Sequence, residues 1–135
     1  MPKSLKLLRT KHVIELHGIQ VHKTAEPSTI LQPNLLESAV AQAKWAYCYQ
    51  DADVFDIAAV YAYHLARNHA FLEGNKRTAA MAAHVFLKRN GISFQPDQEA
   101  YVHVIESVVL GTTNKRQLAS FFRRNSTQHL PLPPR

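Results

Sequence analysis

The sequence predicts an all-α protein, a compact bundle of about six helices. Only four glycines occur in 135 residues, and the prolines cluster near the ends or at plausible element boundaries. Apolar residues recur at helical spacing along the chain, whereas long runs of alternating apolar and polar residues are few. A chain of this length forms one ordinary domain with a single core. We therefore expect one helical domain over residues 1–125, followed by a flexible C-terminal tail over residues 126–135.

The first two helices are predicted from their start signals. The first helix begins near Thr10, a candidate N-cap, and continues to about Val21. Residues 25–33 are polar and include two prolines, so they are predicted to form a loop. Asn34 stands at the position of an N-cap, and Glu37 three residues later completes a pattern that resembles a capping box. The second helix is therefore expected to begin after Asn34.

The next two helices occupy the middle of the chain. Asp53 is predicted to cap a helix that extends to about Asn68. Its apolar residues follow at helical spacing: Val54, Ile57, Ala58, Tyr61 and Leu65. A second helix is predicted over Asn75–Arg89, and Asn90 and Gly91 supply its stop signal. Because this helix is rich in alanine, another backbone can approach it closely, and we place it at the centre of the bundle.

Two shorter helices complete the predicted bundle. One ends at Gly111 and carries an apolar stripe: Tyr101, Val104, Ile105 and Val108. The last carries Leu118, Phe121 and Phe122. The segment Ile92–Phe94 is compatible with an extended conformation, but the sequence shows no obvious strand partner for it.

Net charge, apolar runs and cysteine content indicate which partners the protein binds and in which cell compartment it lies. The formal charge is +6 and the isoelectric point about 9.7, which favours polyanionic partners such as nucleic acid, an anionic surface or nucleotide phosphates. No apolar run approaches the length that spans a bilayer, and no secretory signal follows the charged N-terminus. Cys48 is the only cysteine, so no internal disulfide can form. We expect a cytoplasmic protein without a membrane partner.

The residues that indicate chemistry lie in one segment, residues 69–77 (HAFLEGNKR). This segment joins the two central helices, so it ends at a helix N-terminus, where unpaired N–H groups and the helix dipole attract anions. Lys76 and Arg77 add positive charge, and Gly74 permits close approach of a ligand. Asn75 offers a side-chain amide donor. These four residues are predicted to bind phosphate.

Two further side chains of the segment indicate a transfer reaction. Histidine is the one residue type in the segment that suits proton transfer near neutral pH, so His69 is the candidate general base. Glu73 is an acidic residue in a basic loop, which is explained if it holds Mg²⁺, an ion that takes one or two carboxylates together with substrate phosphates. Phe71 is interpreted as the buried anchor of the loop. The segment therefore predicts Mg–nucleotide binding beside an activated hydroxyl group.

The pattern His-x-Phe-x-(Asp/Glu)-Gly-Asn-x-Arg over residues 69–77 resembles the signature of the Fic/Doc family. Lys76 in the variable position resembles the Doc (death-on-curing) branch, and weaker similarity extends over about residues 10–124. The resemblance implies a Fic/Doc-like helical fold with the active loop between two central helices. It implies that His69 deprotonates a protein hydroxyl and that Glu73 holds Mg²⁺ against the phosphates of ATP, the co-substrate.

The branch of the family decides the expected reaction. Most Fic proteins have glycine at the position of Lys76 and a second arginine at the position of Ala80, and they transfer AMP. Both departures match Doc, which transfers the terminal phosphate, in its best-known case to translation elongation factor Tu. We therefore expect a Ser/Thr kinase-like phosphotransferase that acts as the toxin of a toxin–antitoxin pair. Transfer of AMP to a protein hydroxyl is the alternative.

The resemblance also implies a partner, and two functions of other classes stay open. A Phd-like antitoxin covering the active groove is expected, because the sequence lacks the Ser/Thr-x-x-x-Glu-Gly/Asn motif of Fic proteins that restrain themselves. Basic pairs at residues 88–89, 115–116 and 123–124 would suit a nucleic-acid-binding protein, but no recognition-helix signature accompanies them. A Fic-fold module that binds without catalysis is disfavoured, because every required loop position is filled.

Several residues outside these roles are given structural interpretations. His17 matches a recurrent family position and is expected to be structural. Arg67 is expected to be exposed to solvent, and Thr78 to form a local hydrogen bond. Three aromatic residues of the second helix are expected to pack in the core, with an interaction surface as the alternative: Trp45, Tyr47 and Tyr49. Cys48 is expected to be a small buried hydrophobe without chemistry.

Overall fold

The computed structural model describes residues 4–24 and 30–128, which form six α-helices and one small antiparallel sheet. The helices are α1 (Thr10–Thr24), α2 (Pro33–Tyr49), α3 (Val54–Arg67), α4 (Asn75–Arg89), α5 (Gln98–Leu110) and α6 (Lys115–Arg124), and the strands are β1 (Ile92–Phe94) and β2 (Ser126–Gln128). The prediction of an all-α bundle is confirmed. Residues 25–29 of the predicted loop and residues 129–135 of the predicted tail lie outside the described residues. No helix of the described part is long and apolar enough to cross a membrane.

Helices α3 and α4 lie at the centre of the bundle and pack most extensively against each other. Helix α3 also packs against α2, α5 and α6, and the alanine-rich α4 also packs against α1, α5 and β1. The buried residues of α3 are Ile57, Ala58, Ala59, Val60, Tyr61, Ala62, Leu65 and Ala66. A run of six consecutive buried residues surrounds the whole helix, and such a helix belongs in the interior. Helix α4 instead keeps one polar side, because Lys76, Arg77 and Lys88 are exposed.

The predicted side-chain cap of α3 is confirmed, whereas the caps predicted for α1 at Thr10 and for α2 at Asn34 were wrong, because both residues lie inside the helices. The Asp53 Oδ1 atom accepts a hydrogen bond from the Asp56 N–H at 2.8 Å, which confirms the cap of α3. Helix α2 begins at Pro33 with no side-chain cap hydrogen bond on its N-cap residue Gln32, so Asn34 is an ordinary helical residue. Proline suits the first helical position because its fixed φ is helical and its missing N–H would be unpaired there.

Strand β1 has a partner that local sequence reasoning did not identify. It pairs with β2 in antiparallel register, with Ser93 opposite Thr127. The first three residues of the predicted tail therefore form a strand. The Phe94 ring also contacts the aromatic rings of Tyr101, Phe121 and Phe122. The segment that follows α6 is thus joined, through β2, to the segment that follows α4.

Three residues of α2 lie on the surface, so the expectation that they pack in the core was wrong. Trp45 is 53% exposed, Tyr49 is 71% exposed, and Cys48 is exposed as well. The buried residues of α2 recur every three or four positions, and three of the four are alanines: Leu36, Ala39, Ala43 and Ala46. The helical spacing of this stripe leaves the two aromatic rings on the solvent side, where they contact each other with centroids 4.4 Å apart.

Candidate active site

All six residues that the sequence assigned to the site line one cleft of about 330 Å³ between α3 and α4. They are His69, Glu73, Gly74, Asn75, Lys76 and Arg77. Ala66 from α3 and Val109 from α5 also line it. Sequence reasoning missed Val109, because it follows the segment by more than thirty residues and carries no chemical signal.

His69 reaches the cleft through an unusual backbone conformation. Helix α3 ends at Arg67, and His69 has a φ of +51°, which lies in the left-handed region. That conformation costs a residue with a Cβ roughly 1–2 kcal/mol. The next residue holds the chain in place, because the carbonyl of Ala70 accepts backbone hydrogen bonds from Leu31 at 2.8 Å and Gln32 at 3.0 Å. The chain thereby turns sharply, and His69 is exposed at the cleft.

The side chain of Asn75 holds the loop through hydrogen bonds that the sequence did not suggest. Its Nδ2 donates to the carbonyl of Phe71 at 2.8 Å, and its Oδ1 accepts from the N–H of Phe71 at 3.0 Å. This pair of bonds closes the loop between the two residues like a backbone turn. One of the two Nδ2–H donors is therefore engaged with the protein, and donation by the other to an anion stays a prediction.

The loop is fixed from beneath by two stacked rings. Phe71 is only 2% exposed, which confirms its interpretation as an anchor. Its ring stacks on the imidazole of His17 from α1, with centroids 3.7 Å apart and planes within 8° of parallel. The Nε2–H of His17 donates to the carbonyl of Glu73 at 2.7 Å. His17 is thus structural, as expected, and it fixes the backbone of Glu73 while the exposed carboxylate lines the cleft.

The N-terminus of α4 is open on the cleft side. Its N-cap residue, Gly74, has a φ of +80°, and no described side chain caps the helix. The first backbone hydrogen bond of this helix runs from the Thr78 N–H to the Gly74 carbonyl at 2.9 Å. The N–H groups that precede Thr78 in the first turn of α4 have no partner within the helix. Together with the positive end of the helix dipole, they form the kind of site that binds phosphate.

Lys76, beside this site, takes part in only a weak ion pair. The Lys76 Nζ lies 4.0 Å from the Glu106 Oε2 of α5, and both side chains are about half exposed. Such a surface pair contributes about 0–1 kcal/mol, so a phosphate can draw the ammonium group away at low cost. Arg77 is exposed and lines the same cleft. The arrangement provides two cations next to an open helix start.

For two residues near the site, Arg67 and Thr78, the structure confirms the first expectation and contradicts the second. Arg67 is exposed as expected, and its guanidinium donates to the Tyr63 hydroxyl at 3.2 Å and to the Val108 carbonyl at 3.4 Å. It therefore ties the end of α3 to α5. The expectation of a local hydrogen bond for Thr78 was wrong, because its Oγ1 is buried without a hydrogen-bond partner among the described residues. Packing against neighbouring helices, rather than hydrogen bonding, accounts for its complete burial.

Glu73 is the carboxylate available to a metal ion in the cleft lining. Among the described residues, no group of three or more His, Cys, Asp or Glu side chains is placed to hold a metal ion. A site built entirely from protein ligands is therefore not found in this part of the chain. One exposed carboxylate next to a phosphate-binding helix start does fit Mg²⁺, which takes few protein ligands and completes its shell with phosphate oxygens and water.

Fold and site together describe a helical protein with a histidine-bearing loop at an uncapped helix N-terminus, and comparison with known proteins identifies its class. The model of the Fic/DOC family matches residues 7–87, and the chain belongs to this family. Among curated proteins it is similar to "Protein kinase doc" of Escherichia phage P1, with 28% identity over 89 residues, covering 65% of this chain and 71% of that protein. It is also similar to "Toxin Doc" of Mycolicibacterium smegmatis, with 45% identity over 65 residues, covering 47% of this chain and 50% of that protein. These similarities place it in the Doc-like branch.

Proposed function

We propose that this protein is a Doc-like toxin that transfers the terminal phosphate of ATP to a hydroxyl group of another protein. The observation that carries the proposal is that His69 lines the same cleft as the open N-terminus of α4. A proton acceptor beside a phosphate-binding site is the minimum that such a transfer requires. The names of the two relatives, a protein kinase and a toxin, support the same activity and role.

The reaction divides into a proton transfer and a phosphoryl transfer. The imidazole of His69 accepts the proton of the attacking Ser, Thr or Tyr hydroxyl, and the hydroxyl oxygen forms a bond to the γ-phosphorus. The bond between that phosphorus and the bridging oxygen breaks, and ADP leaves with the electron pair. His69 then releases its proton to solvent. General base catalysis of this kind contributes about 10²–10⁴-fold to the rate.

The other residues of the cleft bind and orient the phosphates. The N-terminus of α4 would accept phosphate oxygens through its backbone N–H groups, while Lys76 and Arg77 would stabilise the negative charge. Glu73 would hold Mg²⁺, which when bound neutralises charge on the phosphates. His17 and Asn75 keep this loop in one conformation, so the groups are positioned before the substrate arrives.

Lys76 and Ala80 favour phosphate transfer over AMP transfer. Family members that transfer AMP usually carry glycine and arginine at these two positions. Here Lys76 places a long charged side chain at the cleft, and Ala80 provides no second guanidinium one turn further along α4. The phosphate-binding surface therefore differs from that of the AMP-transferring members, and AMP transfer is the second candidate.

The proposed biological setting follows from the relatives. We propose a Phd-like antitoxin as the partner that covers the cleft, a translation factor such as elongation factor Tu as the target, and the cytoplasm as the location. Nucleic-acid binding is less well supported than from sequence alone. Arg123, a member of one basic pair, lies 3.0 Å from Asp53 Oδ2 and 3.8 Å from Asp56 Oδ1, so its charge is partly neutralised.

Labelled ATP tests the reaction directly. The purified chain is incubated with Mg²⁺ and ATP labelled on either the α- or the γ-phosphate, with elongation factor Tu and a cell extract as alternative acceptors. Phosphate transfer predicts label in protein from γ-labelled ATP alone, whereas label from α-labelled ATP would establish AMP transfer instead. A Mg²⁺ titration of wild type and Glu73→Ala tests the metal assignment, because the variant should need more Mg²⁺ for the same rate. An unchanged requirement would remove Glu73 from the metal site.

A further inference from the structure

A strongly basic surface lies at the end of α4 that is far from the His69 cleft. It combines the basic pair that ends α4 with the cations around the start of α1, and all five side chains are exposed: Lys6, Arg9, Lys11, Lys88 and Arg89. We call this surface the basic patch. Helix α4 is 15 residues long, which is about 22 Å at 1.5 Å per residue, so the patch is separate from the cleft at the other end of the helix.

Hydrogen bonds hold the N-terminal segment of the chain against the end of α4. The Lys6 N–H donates to the Asn90 Oδ1 at 2.7 Å, and the Asn90 Nδ2 donates to the Lys6 carbonyl at 3.2 Å. The Arg9 N–H donates to the Nδ1 of His12 at 2.8 Å, and α1 itself packs against α4. The backbone that carries the patch is therefore held in place by contacts within the protein.

The charges of the patch act together on one imidazole. Burial first, and then the charges of Arg89 and Lys11, lower the pKa of His12 below its ordinary value of 6.5. Arg9 lowers this pKa as well, and among the described residues Glu15 is the carboxylate that acts in the opposite direction. Cations from α1 and from α4 thus lie close enough to act on the same group, and they create one region of positive potential.

No ion pair neutralises the patch within the described part of the chain. None of its five cations pairs there with a carboxylate, whereas Arg123 of another basic pair does. The dipole of α4 favours the pair at residues 88–89, which lies in the last turn. Arg9 and Lys11 lie at the start of α1, where positive charge is unfavourable and the first turn has no acidic residue. The fold therefore does not account for these two cations.

We propose that the basic patch binds duplex nucleic acid through its phosphate backbone. Exposed lysine and arginine side chains are the groups that neutralise the phosphates of a duplex. The five members of the patch carry no aromatic ring on which an unpaired base could stack, which favours a duplex over a single strand. Contacts to phosphate read no base, so DNA and RNA duplexes share the chemistry that the patch recognises.

This binding is a second function at a surface of its own. It uses no residue of the His69 cleft and does not depend on the phosphate transfer proposed above. The basic pair at residues 88–89, which that transfer leaves without a role, receives one here, together with the cations at the start of α1.

Fluorescence anisotropy with a short labelled DNA duplex and an RNA duplex of the same sequence tests the proposal over a range of salt concentrations. The patch variant Arg9→Gln/Lys11→Gln/Arg89→Gln removes three positive charges and keeps the side chains polar. Its plot of log K against log salt concentration should be shallower than that of wild type by about 3, because each lost phosphate contact contributes about 0.9 to the slope. Its Kd at low salt should rise roughly tenfold or more for the same reason.

The matched control removes the same charge from α6. Lys115→Gln/Arg116→Gln/Arg124→Gln also replaces three exposed cations, and it should change the Kd and the slope far less. The proposal is overturned if wild type binds neither duplex, if the patch variant binds as wild type does, or if the control loses as much affinity. Polyglutamate that displaces the duplex as well as unlabelled duplex does, at equal charge, would also overturn it and would point to an acidic protein as the ligand. Binding of only one duplex supports the patch and identifies the nucleic acid.

Two further measurements separate this proposal from the transfer reaction. His69→Ala should bind the duplex as wild type does, and the patch variant should still transfer label from ATP, so either proposal can fail while the other stands. If the patch variant does not fold, Arg89→Gln alone decides, with an expected decrease of about 1 in the slope. An unchanged slope in Arg89→Gln would then overturn the proposal.

Discussion

Helices α4 and α6 begin with similar sequences and different structures. Each carries two cations in its first turn, Lys76 and Arg77 in one and Lys115 and Arg116 in the other. In α6 the N-cap residue and the residue three positions later form a capping box, with reciprocal hydrogen bonds of 2.8 and 2.9 Å. In α4 no described side chain provides a cap.

The presence or absence of an N-cap side chain indicates whether a helix N-terminus is structural or is open to a ligand. An N-cap side chain contributes about 1 kcal/mol to the free energy of unfolding. At a helix end with no role in binding, such a cap does not interfere with function. Helices α3 and α5 accordingly have capping aspartates, Asp53 and Asp97. At α4 a capping side chain would occupy the N–H groups that we propose to bind phosphate. Gly74 leaves them available, and the contacts of Phe71 and Asn75 hold the loop in place of a cap.

The largest effect is expected from His69→Ala. Loss of the base should reduce phosphate transfer about 10²–10⁴-fold. The thermal midpoint should change little, because His69 is exposed and surface changes usually stay within about 0.5 kcal/mol. Transfer is measured with labelled ATP, and His103→Ala, another exposed histidine, serves as the control. Full activity in a well-folded His69→Ala variant would show that the α4 start binds phosphate without this imidazole acting as base.

Phe71→Ala should damage both stability and transfer. Removing a buried aromatic ring costs about 3–5 kcal/mol, and here it also removes the stack on His17 that supports the loop. Urea unfolding measures the loss of stability, and labelled ATP measures the transfer under conditions where the variant is still folded. The adjacent Leu72→Ala is the control, since Leu72 is exposed and should change stability far less. If the folded variant kept full activity, the anchor would not be needed to shape the open helix start.

The contrast between the two helix starts also shows how far the sequence could lead. The cap of α3 at Asp53 and the bounds of α4 followed from local signals, because a cap and a stop signal act over a few residues. The site segment was found for the same reason. The hydrogen bonds of Asn75 within the loop were not foreseen, because an amide serves a ligand or the backbone equally well until the loop conformation is known.

Interactions between distant segments account for the other differences. The partner of β1 lies more than thirty residues away, and its polar sequence Ser126–Gln128 gives no strand signal. The exposure of Trp45 depends on which side of α2 faces α3, and the amphipathic pattern of α2 alone did not decide it. A cavity of about 230 Å³ that Ala80 of α4 lines likewise exists only because α5 packs against α4 there. Sequence reasoning therefore located the chemistry and missed the surfaces that tertiary packing creates.

Gly74→Ala in α4 and Asn114→Ala before α6 should lose similar amounts of stability, but only Gly74→Ala should weaken ATP binding. Alanine at Gly74 must adopt a φ of +80°, which costs about 1 kcal/mol, and it displaces the backbone N–H groups, so the Kd for Mg–ATP should rise. Alanine at Asn114 removes the cap of α6 and also costs about 1 kcal/mol, but the Kd for Mg–ATP should stay unchanged. Unfolding and ATP binding are measured on both. Equal ATP affinity in the two variants would contradict the functional distinction between α4 and α6.

The smallest effect is expected from His64, which faces the start of α6. Burial first, and then the charges of Lys115 and Arg67, lower the pKa of His64 from its ordinary value of 6.5 to about 4. Between these two values the unfolded chain binds a proton that the folded protein does not, so stability falls as the pH falls from about 6.5 to 4. His64→Gln should make this loss smaller by about 1 kcal/mol, a figure reduced for the partial exposure of the site. Urea unfolding at pH 7, 6, 5 and 4 measures it, with His103→Gln as the control. An equal slope in wild type and His64→Gln would mean that neither burial nor the cations beside the start of α6 lower the pKa of this imidazole.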